Sequence, residues 1–286
     1  MGSNNNPLIV MSNTVFITGA SSGFGRATAR YFAAQGWNVV ATMRTPEHET
    51  ELSQLPNVLV TQLDVERPAT ITAAVAAGLA RFGQLDVLVN NAGFGTFGIF
   101  ESASAAQIRR QFDVNVFGLM AVTQAVLPHF RAQGSGTIIN VSSFGGRVAV
   151  PVGSLYNASK FAVEGFSESL SYELAALGVG VKIIEPGGVA TNFGSTSAEV
   201  IQSNLPEYAP VTSTFRAHYA QATGHLPRST AEDVAQVIYQ AATDGASQLR
   251  YVVGADAAHY LQARQTASDQ EYLAIMRGYF PYFAAE

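Results

Sequence analysis

The chain has no cysteine, which excludes disulfides, thiolate metal sites and thiol nucleophiles together. It has only two lysines, Lys160 and Lys182, and charged residues make up 13% of it, against about 25% in an average soluble protein. The formal net charge is −5 and the arginines are scattered, so there is no basic stripe and no nucleic-acid partner is expected. No apolar run reaches the roughly 18 residues of a membrane span, and no charged-then-apolar leader is visible. The five histidines, His48, His129, His218, His225 and His259, lack metal-ligand spacing, and no metal is expected. A cytoplasmic, reducing setting is consistent with the missing thiols.

What the chain does contain is apolar residues, 48% of its 286, enough for one large α/β domain with a subunit interface. Short β-branched runs alternate with alanine-rich segments, the pattern of βαβ units around a parallel sheet. Strands are expected near residues 14–18, 38–42, 58–63, 86–90, 137–141, 180–184 and 250–253, with helices near 25–35, 68–82, 104–132, 154–177 and 231–243. Gly36 and Gly178 suit C-terminal caps and Pro68 a first helical turn. Residues 1–12 read as a disordered leader or cloning remnant and 13–255 as the catalytic domain. Within it, 190–229 is too long and polar for an ordinary connection and reads as a substrate lid. The tail, 256–286, carries the aromatic cluster Tyr279-Phe280-Pro281-Tyr282-Phe283 and is expected to pack on the domain or a neighbouring subunit.

The most informative stretch is Tyr156-Asn157-Ala158-Ser159-Lys160. On a helix, residues four apart share a face, so the phenol and the ammonium can reach one site. A cation about 5 Å away at an effective dielectric near 20 is worth roughly 3 kcal/mol, or about two pKa units on a tyrosine, the shift a general acid/base needs. Thr18-Gly19-Ala20-Ser21-Ser22-Gly23-Phe24-Gly25 follows the run Val15-Phe16-Ile17 and opens a helix, so its backbone N–H groups can approach a pyrophosphate. Asn90-Asn91-Ala92-Gly93 closes another strand, and Ser143 lies thirteen residues before Tyr156. A literal Gly-x-Gly-x-x-Gly at Gly93 to Gly98 follows the fourth strand with no acidic residue at the ribose-reading distance, and reads as a decoy. A hydrolase is not supported, since the Gly-x-Ser-x-Gly elbow is missing and no histidine accompanies Ser142 or Ser143.

In order and spacing these segments, with Asn115 and the Pro186-Gly187 turn, resemble the short-chain dehydrogenase/reductase family over about residues 13–255. The stretches Tyr156 to Gly165 and Ala41 to Arg44 look most like its 17β-hydroxysteroid and retinol dehydrogenase branch. The resemblance implies a doubly wound, Rossmann-type seven-stranded parallel sheet with helices on both faces. It also implies hydride transfer between a nicotinamide and a carbonyl or alcohol carbon. Tyr156 would be the general acid/base, with Lys160 lowering its pKa and Ser143 polarising the substrate oxygen. Asn115, at a kink in the helix from 104, would hold a water linking Lys160 to solvent. Gly19, Ser21, Ser22, Gly23, Phe24 and Gly25 would cradle the phosphates, and Asp64 and Val65 the adenine. Asn91, Ala92 and Gly93 would border the ribose, and Pro186, Gly187, Val189 and Thr191 the carboxamide.

Met43 occupies the position where an acid would bind the ribose of NAD, and Arg44 follows it, so NADP(H) is expected over NAD. Phe94, Phe97, Phe144, Val150, Val152, Phe193, Leu205, Tyr208 and Phe215 would wall an apolar substrate site. The helices at 104–132 and 154–177 resemble the family's subunit interface, implying a homodimer or homotetramer. A non-catalytic NADP-binding sensor or scaffold, or a family enzyme acting on a polar substrate, remains the alternative.

Overall fold

The computed structural model describes residues 12–189 and 197–280. Seven strands form one parallel sheet: β1 (Thr14–Ile17), β2 (Asn38–Met43), β3 (Val58–Gln62), β4 (Val87–Asn90), β6 (Gly136–Val141), β7 (Val179–Pro186) and β9 (Arg250–Val253). Their order across the sheet is β3-β2-β1-β4-β6-β7-β9. The chain winds outward from β1 in one direction and then, beginning at β4, in the other. The crevice at the C-terminal ends of β1 and β4 is therefore the switch point where open α/β sheets bind ligands.

Residues of the central strands are buried on both faces and sort by alternation, whereas the edge strand β3 is only half-buried. Val15, Ile17, Val39, Ala41, Val87 and Val89 pack with Phe32 of α1 (Gly23–Ala34) and with Val234 and Ile238 of α7 (Ala231–Thr243). Phe16, Val40, Leu88 and Ile138 pack on the other side, against α2 (Pro68–Phe82), α4 (Leu119–Gln133) and α5 (Ser154–Ala175). This two-sided burial explains why the strands read as β-branched runs rather than as polar–apolar alternation. Lys182 of β7 is 7% exposed and donates to the Ala246 and Gln248 carbonyls.

The sheet and the helices near 25–35, 68–82, 154–177 and 231–243 stand where the sequence placed them. Three regions differ. The helix expected over 104–132 is broken into α3 (Ala105–Phe112), a π-helical segment at Asp113–Gly118, and α4. Gly118 sits so tightly on Val65 that an added Cβ would lie 2.7 Å from the valine Cβ. Residues 190–229, expected to lack regular structure, contain β8 (Ala198–Val200), a 3-10 turn at Pro206–Tyr208 and α6 (Ala209–Thr223). β8 pairs in parallel with β5 (Gly95–Phe97), a ladder too short to leave a pattern in sequence. The tail forms α8 (Ala255–Thr266) and α9 (Asp269–Tyr279), the second opened by a Ser268/Glu271 capping box. Tyr260, Tyr272, Met276 and Phe280 of this tail bury against Phe144 and Val148, while Phe215 and Tyr219 of α6 pack alongside. Pro281, Tyr282 and Phe283 lie outside the described residues.

Two helical glycines give opposite expectations. Alanine is favoured over glycine by about 1 kcal/mol in a helix interior. Gly165 of α5 has nothing within 4 Å of an added Cβ. Gly165→Ala should therefore raise the denaturant midpoint, whereas Gly118→Ala should lower stability by about 1–3 kcal/mol through overpacking against Val65. Equal effects in chemical denaturation would contradict the tight Gly118–Val65 approach.

Candidate active site

A cleft of about 900 Å³ opens at the switch point. One wall is the turn after β1. Ser22 caps α1 in an extended conformation with no side-chain cap, and the first turn holds no acidic residue, so its N–H groups are left for an anion. Gly19 has φ +69°, and a Cβ at Gly25 would lie 2.3 Å from the Gly19 carbonyl oxygen. Asn91 fixes this turn from the end of β4, its Nδ2 donating to the Thr18 and Gly19 carbonyls at 2.9 and 3.0 Å. The Thr18 hydroxyl accepts the N–H groups of Asn91 and Ala92, both at 3.0 Å. Gly19, Ser21, Ser22, Gly23 and Phe24 all line the cleft, as do Asn91, Ala92 and Gly93.

The ends of β2 and β3 contribute Met43, Arg44, Asp64 and Val65. Arg26 and Arg30 also reach the cleft but are paired with Glu49 and Glu51. Arg44 is exposed and, among the described residues, makes no ion pair. Asp64 accepts the Glu66 N–H at 3.1 Å and faces Arg67 at 3.6 Å.

At the other end stand Tyr156 and Lys160, delivered by one face of α5. Lys160 is 8% exposed, and its ammonium donates to the Val141 carbonyl at 2.9 Å. Burial lowers its pKa to about 8, with Glu164 opposing the shift. Burial raises the Tyr156 phenol, and a hydrogen bond with Ser143 opposes this. The phenol is thus held above its ordinary range, where the sequence led to the expectation that Lys160 lowers it. The Lys160 nitrogen lies 5.8 Å from the centroid of the Tyr156 ring, and burial is the largest influence on the phenol.

Ser143 also accepts the Gly145 N–H at 3.1 Å and donates to the Pro186 carbonyl at 3.4 Å, while Ser142 lines the cleft. Asn115, in the π-helical segment, is 2% exposed. Its Oδ1 accepts the Phe94 N–H at 3.0 Å, and its Nδ2 donates to the Phe94 carbonyl at 2.8 Å and to Ser159 at 3.1 Å.

Not every residue singled out in the sequence reaches the cleft. Phe94 lines it, and the Phe97 ring lies 5.1 Å from that of Tyr156. Phe144 instead stacks on Tyr260 at 5.5 Å, in the cluster that Val150 also joins, because the tail covers that side. Tyr208 donates to Glu101 at 2.8 Å, away from the cleft. Gly187 donates to the Val253 carbonyl and Val189 packs against the sheet core. Thr191 and Phe193 lie outside the described residues. Other groups were not singled out. Gln111 clamps the backbone of Phe94 and Thr96, Arg110 stacks over the Phe94 ring at 4.8 Å, and the Asp256 carboxylate accepts the Gly188 N–H at 2.6 Å. Gln111 has a readable signal, four residues before Asn115 on a helix, and Asp256 has none short of the fold.

Fold and cleft together are those of a doubly wound, Rossmann-type α/β protein. The short chain dehydrogenase family model matches residues 13–201, and the chain belongs to that family. An uncharacterized oxidoreductase of Schizosaccharomyces pombe is 41% identical over 82% of this chain and 98% of its own length. Bovine retinol dehydrogenase 8 is 38% identical over 79% of this chain and 76% of its own. A short-chain dehydrogenase from Streptomyces avermitilis has a similar structure, with a TM-score of 0.80 and 34% identity over 96% of this chain and 99% of its own. ElxO with NADP bound (TM-score 0.71, 25% identity, 85% and 98% covered) is also similar. So is a Burkholderia phymatum family member in complex with NAD (TM-score 0.75, 26% identity, 92% and 95% covered).

Asn115 carries the local architecture through three hydrogen bonds. Asn115→Ala should cost about 1–3 kcal/mol by leaving the Phe94 N–H without its partner, while the Phe94 carbonyl keeps its bond from Gln111. A thermal or chemical melt indistinguishable from that of the parent chain would contradict this.

Proposed function

We propose that the chain is an NADP(H)-dependent oxidoreductase interconverting an apolar ketone or aldehyde and the corresponding alcohol, with Tyr156 as general acid/base. The observation that carries this reading is one cleft bounded at one end by an uncapped helix N-terminus behind a glycine turn, and at the other by Tyr156 and Lys160, with Ser143 bonded to the tyrosine. The glycine turn fits a pyrophosphate, because Gly19 and Gly25 leave no room for side chains and the first-turn N–H groups are free of a cap. When bound, the dinucleotide supplies or accepts the hydride.

The chain's own residues do the rest. Tyr156 protonates the alkoxide in reduction or takes the alcohol proton in oxidation. Ser143 donates to the substrate oxygen as charge develops there. Lys160 holds positive charge beside the phenol and binds ribose hydroxyls. Arg44 at the end of β2, where an acid would otherwise read the ribose of NAD, receives the 2′-phosphate. Both dinucleotides occur in the similar structures, so the preference rests on Arg44 and Met43.

Phe94 and Phe97 flank the tyrosine with apolar surface, and retinol dehydrogenase 8 among the relatives supports an apolar substrate. The exposed aromatics Phe117, Phe161 and Tyr172, on the π-helical segment and α5, support assembly as a homodimer or homotetramer through that face.

NADPH oxidation screened over steroids, retinoids, aryl ketones, sugars and keto acids should be most efficient with an apolar ketone or aldehyde. Tyr156→Phe should then abolish turnover of that compound while dinucleotide binding persists. Residual turnover above a few per cent would count against Tyr156, and highest efficiency on a polyhydroxylated or charged compound against the substrate class.

Cofactor choice is tested separately by dissociation constants. NADPH should bind more tightly than NADH, and Arg44→Ala should remove most of a roughly 10- to 150-fold preference. Equal constants in the parent chain would sink the assignment.

A further inference from the structure

The face of α5 that carries Tyr156 and Lys160 continues at the same interval to Glu164 and Glu168. Glu164 is 5% exposed, a carboxylate buried one turn beyond a buried ammonium. Its Oε2 accepts from Arg250 of β9 at 2.9 Å, and the same guanidinium reaches Glu168 at 2.5 Å. On β7, Glu185 is fully buried, with Arg147 at 3.5 Å and Arg250 at 3.6 Å. Glu164 and Lys160 both border Gly146, where an added Cβ would lie 2.8 Å from the Glu164 Cγ and 3.1 Å from the Lys160 carbonyl oxygen. Three carboxylates and two guanidiniums thus sit directly behind the catalytic end of the cleft, unused by the reaction described above.

A buried ammonium is costly unless an opposite charge and hydrogen bonds compensate it. Lys160 donates to the Val141 carbonyl of β6, and the neutral Asn115 of the π-helical segment lies near it across Gly93. On α5 it faces Tyr156 and Glu164. Among the described residues no carboxylate lies within 4.0 Å of the Lys160 ammonium, and Glu164, one turn along the same helix face and equally buried, is the acid whose charge acts on it. We propose that Glu164 is a positioning residue of this site: its carboxylate, locked by Arg250, keeps the Lys160 ammonium charged beside Tyr156 at working pH. The proposal rests on the roles given to Tyr156 and Lys160 above. It agrees with burial drawing Lys160 down to about 8 against the pull of Glu164, and with Glu185 being pushed up to about 7 by burial and then by Glu164. Lys160 thus remains cationic below about 8 and loses its charge as pH rises through that value.

The two lysines make the test direct, since isotope-labelled lysine gives two side-chain amine signals by NMR, assigned with Lys182→Arg. Glu164→Gln, which can still accept from Arg250, should lower the Lys160 titration midpoint by about one pH unit and leave that of Lys182 in place. The alkaline fall of kcat/KM should move down equally, activity should recover at lower pH, and Glu164→Asp should restore most of the shift. Should the glutamine variant fail to fold, Arg250→Gln gives the opposite sign: an un-neutralised Glu164 raises the Lys160 midpoint. A Lys160 midpoint that moves in neither variant overturns the proposal, even where Tyr156→Phe is inactive. So does a turnover loss in Glu164→Gln that is uniform across pH. The amine titration does not depend on turnover, so failure of the Tyr156 reading is detected separately, by an active Tyr156→Phe.

Discussion

The tie between the ends of β1 and β4 is the constraint on which the site depends. The connections leaving β1 and β4 run to opposite sides of the sheet because the winding reverses there, and the opening between them is the cleft. Asn91 closes its floor by donating both its backbone N–H and its side-chain amide to Thr18, whose hydroxyl also accepts the Ala92 N–H, and these bonds fix the glycine turn against the backbone of Ala92. Every other element is placed relative to that floor. β2 and β3 bring Arg44 and Asp64 to one side, and α5 crosses behind β6 to bring Tyr156 and Lys160 to the other. The π-helical turn at Asn115 is shaped by the same requirement, since an uninterrupted helix would not set the amide of Asn115 against both backbone groups of Phe94.

Electrostatics in this end of the molecule is dominated by dryness. Lys160 and Tyr156 are both pushed toward their neutral forms by burial, and the polar contacts around them work against that pressure rather than with it. The tail contributes to the dryness. Tyr260 stacks on Phe144, next to Ser143, so two helices beyond the sheet help exclude water from the side of Ser143. Asp256 on the same tail holds the Gly188 N–H, so the end of β7 is set by α8 as much as by the sheet.

The strands were legible because burial on both faces writes long β-branched runs, as in Val15-Phe16-Ile17 and Val87-Leu88-Val89. The glycine turn and the Tyr156–Lys160 spacing were legible because local geometry alone demands those residues. What escaped depends on tertiary contact. The β5–β8 ladder joins two three-residue segments about a hundred positions apart, and neither has a propensity of its own. Phe144 neighbours Ser143 in sequence yet turns to the tail, which only the folded chain reveals. The tail helices were partly readable, since Ser268 and Glu271 form a capping box, but α8 lacks a clear amphipathic stripe. Glu164 stood in plain view within the Tyr156 helix, and the sequence was silent on its burial and on Arg250, which arrives from β9.

Both lysines are turned inward, Lys160 onto the Val141 carbonyl and Lys182 onto those of Ala246 and Gln248. The chain has no others, so its outer positive charge is guanidinium alone. Acylating reagents, amine cross-linkers and isopeptide-forming enzymes consequently meet no side-chain amine on the outer surface of the folded protein: Lys160 is reached only through the cleft it lines, and Lys182 is capped by two backbone carbonyls. Amine labelling of the folded chain would therefore report access to that cleft.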